Sequence, residues 1–212
     1  MQPEDAARYA AEYQQRNALL CHDLTEIDAF LEIMRGSDQD AQLNAKIAIQ
    51  TLVQSSRLDS VRLESGLIDI FRNCKDRITQ HHVLDTLVAI DATSAGPEII
   101  KQIDRNTRMY EYRGLPPEAR HAHIQFLFHG LARLRPSHLV EDVKRLITHP
   151  DPVVLRGTLW LIAELKTRGL GDHLLALLNS TVTSIREEAA RVIAVLGCQF
   201  GERMYLANIV SK

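Results

Sequence analysis

Aromatic residues are scarce in this chain: Phe, Trp and Tyr make up 5% of its 212 positions, and Trp160 is the only tryptophan. With ten glycines as well, the composition is too poor in ring and turn residues for a sandwich or barrel, which is built from many short strands and tight turns. Cys21, Cys74 and Cys198 stand far apart, without the paired spacing of a zinc ribbon or a disulfide framework, and an odd count suits a reducing compartment. No apolar run approaches the roughly 18 residues that a membrane span requires. The opening MQPEDAARYA is acidic and has no apolar core of the secretory kind, so the expectation is a cytoplasmic protein with no membrane partner. The G-x-S-x-G elbow, the P-loop and the dinucleotide fingerprint are missing too, and no catalytic residue or cofactor is assigned.

What is present is a globular balance of 45% hydrophobic and 25% charged residues, with the core material drawn from Leu, Ile, Val and Ala. That composition points to an all-α chain of stacked helices. The formal net charge of −2 is unevenly spread: residues 1 to 40 hold nine acids against three bases, and residues 99 to 145 hold nine bases against five acids, with four histidines. A local excess of that size falls short of the many simultaneous phosphate contacts that duplex binding draws on, so nucleic acid is disfavoured as a partner.

The chain repeats itself. Aligning HPDPVVLRGTLWLIAEL with TSIREEAARVIAVLG so that Val154 matches Ile185 places Ile162 on Ile193, Ala163 on Ala194 and Leu165 on Leu196, an offset of 31 residues. The same template fits a helix opened by Ala41, with Ala45, Ile49 and Leu52, and another opened by Thr79, with Val83, Leu87 and Ile90; a looser copy runs through Ile124, Phe128 and Leu131. Three residues ahead of three of these starts lie Asp38, Asp76 and Asp151, each placed to cap the free amides of a first helical turn, with Pro152 suited to the first helical position. In the last copy Ser184 and Glu187 have the spacing of a capping box. Before each of these helices lies a shorter amphipathic stretch: LTEIDAFLEIM, VRLESGLIDIF, PEIIKQI, SHLVEDVKRLI and GDHLLALL. The prediction is therefore five helix pairs in one domain over residues 1–212. Residues 1–20 form an Ala-rich helix that closes one end, and CQFGERMYLANIVSK, 198–212, packs as a cap at the other or serves as a dimerising face.

The D-P-x-V-x-R pattern followed by an apolar helix, seen in DPVVLRGTLWLIAEL and echoed in SIREEAARVIAVLG, resembles HEAT repeats, particularly the short variety of bilin-lyase-type proteins. The likeness is carried mainly by residues 137 to 197 and more weakly by 24 to 91. It implies an α-solenoid, a right-handed superhelix in which the second helix of each pair lines the concave face. Among HEAT-like enzymes, deoxyhypusine hydroxylases hold two irons with His-Glu dipeptides, and this chain contains none. HEAT-like DNA glycosylases use a basic channel with aromatic walls; here Trp160 reads as packing between repeats.

Two groups of residues are candidates for binding. Between the helices of the third pair an insertion, RNTRMYEYRGLPPEAR over 105–120, stretches the spacing from Ile90 to Leu131 to 41 residues. Arg105, Arg108, Tyr110, Tyr112 and Arg113 there offer the guanidinium and aromatic groups common at interaction hot spots; the alternative reading has the tyrosines cover the gap between pairs. On helical phase, His121, Gln125, Arg156 and Glu164 belong to the concave surface. A metal site is not expected: His121 and His123 point about 200° apart on the helical wheel, and a Gln separates His121 from His129. His81 and Asp85, one turn apart, form a surface pair at most, and REEAAR, 186–191, reads as a solvated face. The function expected is a non-catalytic adaptor, scaffold or assembly factor that binds another protein through an acidic segment. The alternatives are a lyase-like carrier for a tetrapyrrole or other acidic small molecule, and a nucleic-acid-binding repeat protein.

Overall fold

The amphipathic stretches are helices, and each is followed by a second helix. A computed structural model describes residues 27–54, 60–108 and 117–197, and among these every regular element is helical. The order is α1 (Ile27–Arg35), α2 (Gln39–Gln54), α3 (Ser60–Asn73), α4 (Arg77–Ala89), a short 3₁₀ turn (Thr93–Ala95), α5 (Gly96–Arg108), α6 (Pro117–Leu134), α7 (Leu139–Leu146), α8 (Pro152–Leu165), α9 (Gly171–Leu177) and α10 (Thr183–Val195). The end segments 1–20 and 198–212 lie outside the described residues. Helices α5 and α6 take four residues from each end of the segment 105–120 that the sequence marks as an insertion. Its remainder, with Tyr110, Tyr112 and Arg113, also lies outside the description.

The chain forms two compact units that divide between Glu98 and Ile99, within α5. In the first, α1 packs on α2, α3 and α4, α3 packs on α4, and α2 lies against α4. Apolar residues at three- and four-residue spacing make this possible: Ile27, Phe30, Leu31 and Met34 give α1 one buried stripe, answered by Leu63, Leu67, Ile70 and Phe71 of α3. In the second unit α6 lies against α8 and α8 against α10, while the short helices α7 and α9 cover α8 and α10. Ile124, Phe128, Leu131, Val154, Leu161, Ile162, Ile185 and Val192 form its core. Within each unit, then, the second helix of one pair packs along the second helix of the next.

Small residues set how closely the helices approach. A methyl group on Gly157 of α8 would drive into the ring of Phe128, which is wholly buried on α6, and one on Gly66 of α3 would strike Leu31 of α1.

Capping follows the aspartates. Asp38 Oδ1 accepts from the Ala41 amide at 3.0 Å, Asp76 Oδ2 from Thr79 at 2.7 Å and Asp151 Oδ1 from Val153 at 2.8 Å, with Pro152 beginning α8. Thr79's amide bond and hydroxyl also hold the Asp76 carboxyl below its ordinary pKa of 3.8. The capping box expected at Ser184 and Glu187 is not made. Helix α10 starts one residue earlier, at Thr183, which puts Ser184 inside the first turn and leaves Val182 as a cap with no side-chain acceptor.

A second repeat-register bond went unseen in the sequence. Gln42 Nε2 donates to the Gly36 carbonyl at 2.6 Å, Gln80 Nε2 to the Cys74 carbonyl at 2.7 Å and Arg186 Nη1 to the Ser180 carbonyl at 2.7 Å. Each donor sits one residue after a template start, Ala41, Thr79 or Ile185, and each acceptor lies six residues back, in the turn that follows the preceding helix. The side chain thereby ties the turn to the helix it introduces. Gln42, wholly buried, also reaches Thr79 Oγ1 at 3.0 Å and so links α2 to α4.

Candidate functional site

Helix α6 buries Ile124, Leu127, Phe128 and Leu131, and its phase turns His121, Gln125, His129 and Arg133, each four residues after the last, away from that core. His123 falls on the buried side, so His121 and His123 do separate as their 200° offset requires. Helix α8 buries Val154, Thr158, Leu161 and Ile162, which leaves Arg156, Trp160 and Glu164 on a parallel stripe. Helix α10 adds Glu188 and Arg191. Where the three helices run side by side, a pocket of about 280 Å³ opens, with His121, Gln125 and His129 on one wall, Arg156, Gly157 and Trp160 on the next, and Glu188 and Arg191 on the third.

The half-buried Arg156 has the least complete set of partners here. Its Nη2 stands 3.3 Å from Nδ1 of His121. A guanidinium has no lone pair to offer, so Nδ1 accepts, and the His121 proton resides on Nε2 in the neutral ring. The Nε–H of Arg156 is enclosed and finds no acceptor among the described residues. Among the described residues no carboxylate pairs with Arg156. Glu188 is engaged with Arg191, accepting from Nε at 3.2 Å and from Nη2, and that bond keeps the Arg191 guanidinium still more firmly protonated than an ordinary arginine. Trp160 and His129 meet with ring centroids 4.3 Å apart and planes tilted by 57°. Both also line a wider, shallower basin of about 430 Å³ with Ala132, Arg133, Arg135 and Glu164.

Helix α6 is fixed to α8 just beside the pocket. Arg120 donates to Asp151, whose other oxygen caps α8, so one buried carboxylate serves both helices.

Of the residues selected on helical phase, His121, Gln125 and Arg156 come together on the pocket, and Glu164 lines the adjoining basin. Arg105 is exposed near the end of α5, and Arg108 is the last residue of that helix. His129, Trp160, Glu188 and Arg191 were not among the chosen binding residues. Trp160, half-buried, meets His129 of the neighbouring pair, as packing between repeats requires, and also lines both concavities; the pairing of Glu188 with Arg191 one turn apart was visible in REEAAR only as a surface ion pair. Asp85, expected to pair on the surface with His81, also accepts from Lys46 of α2, at 2.9 Å, and so links α2 to α4.

Among the described residues no three His, Cys, Asp or Glu side chains gather as a metal site, and no helix is long and apolar enough to cross a membrane. No protein-family model and no curated protein matches the chain.

Proposed function

We propose that the protein is a HEAT-like helical-repeat adaptor, a cytoplasmic scaffold or assembly factor that binds an acidic segment of another protein on the face built by α6, α8 and α10. The observation that carries this reading is the convergence of His121, Gln125 and Arg156, from two helices, on one concavity whose only carboxylate is already paired. A row of rigid helices presents such a face at little ordering cost to the partner's binding energy. Both concavities are rimmed by guanidinium groups and contain exposed ring surface, the composition that recurs at interaction hot spots. Arg105, Arg108, Tyr110, Tyr112 and Arg113 of the segment 105–120 belong to the same proposal as a second set of binding residues.

The test is a tagged pull-down with mass spectrometry on the native chain, an Arg156→Gln/Trp160→Ala variant and a Tyr110/Tyr112/Arg113 triple-alanine variant. One stoichiometric protein retained by the native chain, and lost or depleted in either variant, is the expected result. A native chain that retains nothing removes the adaptor reading.

A further inference from the structure

The incomplete coordination of Arg156 goes one step further than a general basic face, and the step rests on the adaptor reading. Donors outnumber acceptors around the pocket. Arg156 brings an enclosed Nε–H with no acceptor, Trp160 an indole N–H and Gln125 a carboxamide, while the one carboxylate among the lining residues, Glu188, is held by Arg191. An enclosed donor without a partner is costly, and an acceptor brought by a ligand relieves that cost. Beside these donors the ring of Trp160 supplies apolar surface toward the wider basin.

From this arrangement we infer that the pocket is a carboxylate anchor: it takes the side chain of one glutamate or aspartate of a partner peptide, with an adjacent apolar side chain lying on Trp160. The carboxylate accepts from Arg156 and displaces no ion pair among the described residues, none of whose acids is bound to that guanidinium. A planar carboxylate matches the fork of an arginine, whereas a neutral amide offers a single weaker acceptor and brings donors of its own into a site already rich in them. Glu164, exposed at the far side of the basin, repels a second acid, so the preferred sequence is an acid followed by an apolar residue.

Trp160 is the chain's only tryptophan, so its emission reports the pocket directly. The probes are acetyl-Gly-Glu-Leu-Gly-amide, its Gln counterpart acetyl-Gly-Gln-Leu-Gly-amide, and glutarate, each titrated into the full chain. The acidic peptide is expected to change the emission saturably and to bind about tenfold or more tightly than either the Gln peptide or glutarate. Arg156→Gln is expected to abolish that preference, and Gln125→Glu, an exposed substitution that leaves the core untouched, to weaken the acidic peptide by repulsion. Arg168→Gln, the same charge change in the exposed turn after α8, should leave binding as it was. Equal binding of the two peptides, or an unchanged affinity in both Arg156→Gln and Gln125→Glu, overturns the anchor. So does glutarate binding as tightly as the acidic peptide, which would make the pocket a small-anion site. The two readings fail separately: a partner captured equally by native chain and Arg156→Gln sinks the anchor and leaves the adaptor standing, while peptide discrimination with no captured partner does the reverse.

Discussion

Gly157 of α8 lies beneath the ring of Phe128 of α6, so close that a single added methyl group would overlap two ring carbons. The contact lets two long helices of adjacent pairs approach, and it forms one end of the pocket floor. Phe128 is wholly buried and has nowhere to retreat. Gly157→Ala is therefore expected to lose stability, by about 1–2 kcal/mol, despite the helix propensity it gains. The midpoint of urea unfolding measures it. If Gly157→Ala is as stable as the native chain or more so, the ring is freer than its burial implies.

The buried Gln42 predicts a larger local effect. Its amide nitrogen reaches the carbonyls of Met34 and Gly36 and the hydroxyl of Thr79, thus joining the α1–α2 turn to α4. Gln42→Leu fills the same space without the donor, leaving those acceptors short of a partner, and should cost about 1–3 kcal/mol. Gln80→Leu, which loses a single bond to the Cys74 carbonyl, should cost less. Thermal unfolding of the two variants side by side gives the order.

These two cases mark how far the chain could be read before its structure. The helix pairs were legible because three- and four-residue spacing is a local signal, and three of the helix starts because an aspartate cap acts within one turn. The tie made by Gln42, Gln80 and Arg186 was not legible, because its acceptor is a turn carbonyl whose direction depends on how the preceding helix ends. Helical phase was enough to select His121, Gln125 and Arg156. Phase could not show that α10 closes the same concavity, because that depends on how helices distant in sequence pack. Hence Arg191 and Glu188 looked like any solvated pair. Ser184 failed as a cap for a smaller reason: the helix begins one residue before it.

His81 should make the first unit sensitive to mild acid. Burial disfavours its charged form and lowers its pKa from 6.5, an effect that the nearby Asp85 carboxylate partly opposes. Between the lowered folded value and 6.5 the unfolded chain binds more protons than the folded one, so stability falls as pH falls through that window and is fully present above it. His81→Gln removes the titrating group. Its urea midpoint should therefore drop less between pH 7.5 and pH 5 than that of the native chain. Equal drops would assign the acid sensitivity elsewhere.

Arg120 and Asp151 supply the last prediction, because one carboxylate there has two duties. Its Oδ1 caps α8 through the Val153 amide, and its Oδ2 receives Arg120 from α6, with only 7% of the Asp151 side chain exposed. Arg120→Met leaves that buried carboxylate with the cap bond and no countercharge, and its cost should reach several kcal/mol, as it does when one partner of a buried pair is removed. Asp151→Asn keeps an oxygen for the cap and gives up only the charge, while the Arg120 side chain is 22% exposed and retains some access to water. It should cost less. Because each single change already breaks the Arg120–Asp151 pair, the double variant should be more stable than the sum of the two losses allows, with a coupling of about 1–3 kcal/mol. A four-member cycle of urea midpoints measures that coupling. Additive losses would mean that the ion pair contributes nothing beyond the cap, and that α6 and α8 are held together by the packing of Phe128 on Gly157 without it.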